Sequence, residues 1–420
     1  MKKIIEKIKN NSTSVIIYLL GVLARFVAML NSNPLINQHD VEGKYNWMGY
    51  AIHIFNNWAL PNSNKYEYSQ PPINPSLQAI VMKIFSPFIR YSKINYKHLY
   101  GSTKILSFIF SCITLFIIYK ILEEFEIKKR MKNFVFVIMA LYPGIVFMTT
   151  QYSNDNIAYM FFYLSLFLSI RWAKDKKLST IILLALSIGI GMLTKISVGL
   201  IAFITGPMML AVLIKAKDKK NIFIQLIIFA MIVFPIGLSY SIRNYVLFGQ
   251  QIGSIYEVGM GSTVDLKMYN YTIVDRFLSF PISRVIEKTN GIYHDFSEYN
   301  IWIDLIKTST YDEFNFGNGS IKYFLTILYF ANIIFYFVGF ISVIITTIDV
   351  IKMFMNKTSF DNPYLNFKTI CLMLFVLALF AYISFNVRYP YTCNSNYRYI
   401  AYISFALAGS IASTIYKTKK

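Results

Sequence analysis

Apolar runs, each near the roughly 20 residues that a helix needs to cross the hydrocarbon layer of a bilayer, recur ten times along this chain. They lie near 12–31, 101–121, 132–149, 155–171, 178–193, 197–214, 221–242, 322–348, 369–386 and 399–416. A soluble core cannot bury that many, and inside lipid only helices or closed barrels satisfy their own backbone. The pattern predicts an all-α polytopic membrane protein with about ten transmembrane helices. The basic start before the first run is followed by no small-x-small cleavage site, so that run is expected to be an uncleaved span.

Charge gives the orientation. The formal charge of +20 is spread in short clusters between the runs and forms no groove-sized patch or nucleic-acid motif, which argues against a nucleic-acid partner. "KILEEFEIKKRMK" (120–132), "RWAKDKK" (171–177), "KAKDKK" (215–220), the tail "KTKK" and Lys2 to Lys9 are short and basic. Such loops face the cytoplasm, which places both termini there. The connections 32–100, 149–156, 193–195, 243–321 and 386–399 then face outward.

Residues 1–420 are read as one membrane domain, with 32–100 as a structured first outer loop and 243–321 as an outer elaboration able to close over an acceptor. In the first outer loop a surface helix is expected to begin at Asp40, with apolar stripes Tyr45, Met48, Ile52, Phe55 and Trp47, Tyr50, Ile54, Trp58. After the proline-rich "LPNSNKYEYSQPPINP", a second is expected with Asn74 as its cap and Pro75 in its first turn. Its apolar residues Leu77, Ile80, Val81, Ile84, Phe85 and Phe88 recur at helical spacing, so both helices are expected to lie along the membrane surface.

There is no P-loop, G-x-G-x-x-G, H-E-x-x-H or paired C-x-x-C. His39, His53, His98 and His294 are dispersed, and Cys112, Cys371 and Cys393 make no disulfide framework. The cytoplasmic loops are too short for a nucleotide-binding domain, so an activated substrate would have to arrive from the membrane or the outer side.

Two acids stand out on that side. Asp40 could cap its helix or act as general base on an acceptor hydroxyl, tuned by His39 and Glu42. Asp155, in "SNDN", could make an Asx turn or cap, or share a divalent cation such as Mg or Mn with Asp40. The basic candidates are Arg25, Lys195, Arg243, Arg388 and Arg398, each able to snorkel to headgroups or to hold a phosphate. His294 with Asp295, and Asp312 with Glu313, are rival acidic sites in the long outer loop, or simply its solvated surface.

In order along the chain, "QHDVEGKY", "SQPPINPSLQAI", "YPGIVF", "YSNDNIAYMFFYLSLFL", "GIGMLTKISVGL" and "RNYVLFG" resemble the GT-C membrane glycosyltransferases. The similarity is to the dolichyl-phosphate-mannose protein mannosyltransferase and aminoarabinose transferase-like branch. The resemblance runs from about 12 to 250 and extends to "NYRYIAY". It implies a GT-C-like fold, a sugar donor on a polyprenyl phosphate, a catalytic acid in the first outer loop and inverting transfer at the outer face of the cytoplasmic membrane. By the same resemblance Asp40 matches the catalytic acid, Asp155 the acid of the second outer loop, and Lys195 and Arg243 basic positions near the lipid phosphate. Many relatives carry two adjacent acids in the first loop, whereas here Val41 separates Asp40 from Glu42.

The acceptor implied is a polysaccharide, glycolipid or protein, and no resident cofactor is called for. A transporter or flippase of lipid-linked saccharide could use the same basic residues, though no internal repeat is visible. A non-catalytic envelope-assembly subunit would retain the fold without turnover.

Overall fold

With no water to satisfy backbone groups in lipid, the apolar runs fold as helices. The computed structural model describes residues 12–32, 40–88, 96–254, 268, 270–286, 298–312, 320–356 and 363–416. In chain order the helices are α1 Ser12–Asn31, α2 Trp47–Asn57, α3 Ile73–Phe85, α4 Tyr96–Gly101, α5 Lys104–Glu124, α6 Lys129–Leu141, α7 Pro143–Met148 and α8 Asp155–Asp175. There follow α9 Leu178–Met192, α10 Ala202–Lys215, α11 Lys219–Phe248, α12 Ile282–Ile286, α13 Ile301–Tyr311, α14 Ser320–Met355, α15 Pro363–Arg388 and α16 Ile403–Ile415.

Among the described residues six helices are long and apolar enough to cross a membrane: Ser12–Asn31, Tyr96–Glu124, Ile196–Lys215, Lys219–Phe248, Tyr323–Met355 and Asn366–Arg388. The other expected crossings differ for identifiable reasons. The run 132–149 is interrupted between α6 and α7 at Pro143. α8 keeps its length, but Asp155, Arg171, Lys174 and Asp175 lower its hydropathy. α9 and α16 have 15 and 13 residues, about 22 and 20 Å of helix against a hydrocarbon layer of about 30 Å.

The chain packs as two compact units. The first comprises Met1–Ala28, Ile118–Met148 and Thr263–Lys420, the second Met29–Ile117 and Thr149–Ser262. In the second, α9 and α11 approach closely because small residues face large ones: a Cβ on Gly237 would stand 2.7 Å from Met192 Sδ, and one on Gly189 3.0 Å from Ile236. In the first, α16 is buried along nearly its whole length against α14, α15 and α6.

Arg25 departs from its expected place at headgroups or a phosphate. It is 1% exposed, and its guanidinium donates to Ala140 O at 2.6 Å, Met139 O at 3.2 Å and Gly21 O at 3.0 Å. The reason is Pro143: a proline has no N–H for the carbonyl four residues earlier, so the end of α6 presents bare acceptors that a cation suits. Arg25→Met should therefore lower unfolding stability by about 3 kcal/mol, read by thermal or denaturant unfolding in detergent. An unchanged midpoint would mean that water replaces the guanidinium.

Candidate active site

The segment expected as the first outer loop begins the candidate site, and Asp40 is not the cap of α2. The helix starts seven residues later, with Asn46 as its cap. Instead the backbone of the acid's own turn accepts the first helical donors: Trp47 N donates to Asp40 O at 3.2 Å and Met48 N to Val41 O at 3.1 Å. The carboxylate is half-buried and accepts Trp47 Nε1 at 3.3 Å on Oδ2. Because Val41 and Trp47 are both in the core, this turn is fixed from two sides. Gly49 lies so near the carbonyl oxygens of Gly43 and Lys44 that no larger residue fits.

Glu42 points elsewhere. It is exposed and pairs with Lys97 at 2.8 Å, an ion pair worth little on a surface. His39 lies outside the described residues. Another acid of this segment is Glu67, which the sequence reading did not single out; both it and Asp40 act electrostatically on the fully buried Tyr100.

Glu67 sits in a 3-10 turn, Tyr66–Ser69, whose Tyr68 packs on Tyr45 and Tyr50 with ring centres 5.4 and 4.9 Å apart. The C-terminal end of α11 holds this turn. Tyr240 Oη donates to Tyr68 O at 2.8 Å, which leaves Tyr50 to donate to Tyr240 Oη at 2.9 Å. Asn244 Nδ2 reaches Ser69 O at 3.2 Å, and Arg243 donates to Pro61 O at 2.8 Å and to Asn244 Oδ1 at 2.9 Å. Arg243 also lies 5.3 Å from the centre of the Tyr240 ring. An arginine has five N–H donors, so this half-buried side chain orders the loop and keeps donors for an anion.

The turn "TTQYSNDN" is buried rather than superficial: Gln151, Tyr152, Ser153, Asn154 and Asp155 are each no more than 4% exposed. Buried carbonyls need donors, and the side chains around supply them. Ser107 donates to Gln151 O, while Asn74 and Gln78, one helical turn apart on α3, both donate to Tyr152 O at 3.3 and 2.7 Å. Asn74 is therefore a buried donor inside α3 and not its cap, a position held by Pro72. Of the apolar residues at helical spacing here, Val81 is buried, whereas Ile80, Ile84 and Phe88 are 42, 58 and 79% exposed.

Asp155 opens α8 and forms a partly buried ion pair with Lys195 at 2.5 Å, while Ser153 Oγ donates to its Oδ2 at 2.8 Å. The structure thus brings together two residues read as separate candidates. With one oxygen on Lys195 and the other on Ser153, Asp155 does not fit a cation shared with Asp40, and the described residues contain no group of three His, Cys, Asp or Glu side chains suited to a metal.

The remaining candidates belong to the first unit. Arg388 is exposed, 5.4 Å from the centre of the Tyr389 ring. Arg398 is buried over Tyr399, with its backbone N–H on Asn396 Oδ1 at 2.8 Å. Asp312 is no solvated loop acid: it is 2% exposed at the end of α13 and accepts Asn396 Nδ2 at 3.2 Å. Every residue of α13 except Trp302 is buried, so this part of 243–321 is a core helix. His294, Asp295 and Glu313 lie outside the described residues.

In comparisons with known proteins, the family described as dolichyl-phosphate-mannose-protein mannosyltransferase matches residues 69–239. That stretch contains Asp155 and Lys195 and excludes Asp40 and Arg243. Among solved structures, the oligosaccharyltransferase of Archaeoglobus fulgidus in its apo form superposes with a TM-score of 0.55 at 13% identity, over 98% of this chain and 51% of that one. The chain thus spans about half the length of that protein. ArnT from Cupriavidus metallidurans, also apo, gives 0.42 at 10% identity, over 95% and 76% of the two chains. No curated protein is significantly similar in sequence.

Proposed function

We propose that this chain, in which residues 69–239 match the mannosyltransferase family and whose fold is similar to an oligosaccharyltransferase, is an inverting glycosyltransferase of the GT-C membrane type which moves a sugar from a polyprenyl phosphate to an acceptor hydroxyl. The observation that carries this reading is the half-buried carboxylate of Asp40, held by Trp47 in an aromatic-walled loop. A base in such a place is oriented and partly shielded from water.

Asp40 takes the proton from the acceptor O–H as that oxygen bonds to the anomeric carbon. The bond from that carbon to the phosphate oxygen breaks on the opposite face, inverting the configuration through a transition state with oxocarbenium character. The electron pair leaves with the polyprenyl phosphate, which needs positive charge and no proton. Arg243 supplies it through its remaining donors, and Lys195 lends partial charge from within its pair with Asp155. No step is assigned to a divalent cation.

The polyprenyl carrier suits a chain whose cytoplasmic loops are short. The acceptor is a polysaccharide, glycolipid or protein on the outer face of the cytoplasmic membrane, with no role for nucleic acid. Transfer from a panel of radiolabelled polyprenyl-phosphate sugars, assayed in right-side-out and inverted vesicles with envelope extract as acceptor, tests all of this. One donor should be consumed, with inversion at its anomeric carbon, only where the outer face meets the acceptor. Binding of a donor without turnover would favour a transporter instead.

A further inference from the structure

Segment 271–286 of the first unit reads in sequence only as part of a long outer loop, yet it holds a buried charge that meets no counter-charge among the described residues. Arg276 lies in the π-helical turn Val274–Leu278 and is 6% exposed. Its Nη2 donates to Asn386 O at 2.7 Å, while among the described residues its Nε meets no acceptor and no carboxylate pairs with it. The neighbouring acid is directed away: Asp275 accepts from Thr272 N and Oγ1 at 2.8 and 2.7 Å. Burial lowers the pKa of the Arg276 guanidinium from its ordinary value. A cation so placed is unfavourable until an anion completes it.

The turn that presents Arg276 is fixed. Asn300 Nδ2 donates to Asp275 O at 3.0 Å and Ser279 O at 2.7 Å, and Trp302 Nε1 to Phe277 O at 2.8 Å. The guanidinium is therefore pre-organised. A second, independent feature surrounds it: Ile273, Val274, Leu278 and Ile282 are 72, 57, 75 and 67% exposed. Large aliphatic side chains this closely spaced and this bare are not those of a water-facing loop.

We infer that segment 271–286 binds a phospholipid of the surrounding bilayer, with the headgroup phosphate on Arg276 and the acyl chains against Ile273, Val274, Leu278 and Ile282. The planar fork suits a phosphate oxygen pair, and the aliphatic side chains flank it in sequence on both sides. The site anchors the outer part of the first unit to the membrane surface, and it does not depend on the glycosyl-transfer reading.

Native mass spectrometry of the full chain, delipidated and re-incubated with phosphatidylglycerol, tests it. Wild type should retain one lipid that Arg276→Gln releases with about tenfold weaker affinity, about 1.4 kcal/mol, and Arg276→Lys should recover part of it. Diacylglycerol, which lacks the phosphate, should not be retained. The double variant Leu278→Ser, Ile282→Ser should also lose the lipid while leaving Arg276 intact, which gives a reading even if Arg276→Gln fails to fold. Equal retention by wild type and both variants would overturn the proposal. So would displacement by inorganic phosphate at millimolar concentration, which would make the site one for the free anion, or by an equimolar polyprenyl phosphate, which would reassign it to a carrier lipid.

Discussion

Asp40→Asn should lower kcat/KM for sugar transfer by about 10²- to 10⁴-fold, the range over which a positioned general base acts, while donor affinity stays as in wild type. The change is nearly isosteric. The amide oxygen can still accept Trp47 Nε1, and the backbone bonds from Trp47 and Met48 into the turn do not depend on the side chain, so the loop should keep its shape. What disappears is a lone pair basic enough to take the acceptor proton. A binding-only role predicts the opposite split, with weaker donor affinity and unchanged turnover of what binds. The pH profile gives a second reading: wild-type kcat/KM should fall toward acid as a carboxylate base protonates, and the residual rate of the variant should lack that limb. Equal turnover by the two proteins would remove Asp40 from the mechanism and move attention to Glu67, a second acid within electrostatic reach of Tyr100.

That rival was invisible in the sequence for a physical reason. Neighbourhood along the chain suggested Glu42 as the partner of Asp40, since only Val41 lies between them. Tertiary packing instead sends Glu42 outward to Lys97 and folds the Tyr66–Ser69 turn back, so that Glu67 N donates to Tyr45 O at 3.1 Å. Periodicity announced both surface helices, because a 3.6-residue repeat is local information. It could not say which face of α3 is inside: in a membrane protein lipid competes with the core for apolar side chains. Asn74 and Gln78 therefore face inward because Tyr152 O needs donors, and Ile80 and Ile84 face out. Hydropathy likewise marked where apolar residues are, without marking the break at Pro143 that Arg25 repairs. The site residues were legible as types and order along the chain, while their pairings depended on contacts such as Lys195 with Asp155, 40 residues apart.

Lys195→Met should cost about 3–5 kcal/mol of stability, the usual consequence of leaving a buried member of an ion pair alone. The two partners are not equivalent. The Asp155 side chain is 4% exposed and that of Lys195 17%, so a stranded lysine can reach toward water along its flexible stem, whereas a stranded carboxylate cannot. Asp155→Asn should therefore cost less, about 1–2 kcal/mol, because the amide still accepts Ser153 Oγ and the freed ammonium re-solvates. The double variant should be more stable than Lys195→Met alone, since the uncompensated charge has gone; denaturant unfolding of all four proteins closes the cycle. If the pair only orders the start of α8, transfer activity should track folded fraction in every variant, and Lys195→Arg, which preserves the charge, should restore both. If the ammonium also meets the leaving phosphate, Asp155→Asn should release it toward the donor and tighten donor binding while stability falls. Such a split between affinity and stability is what a purely structural ion pair could not produce.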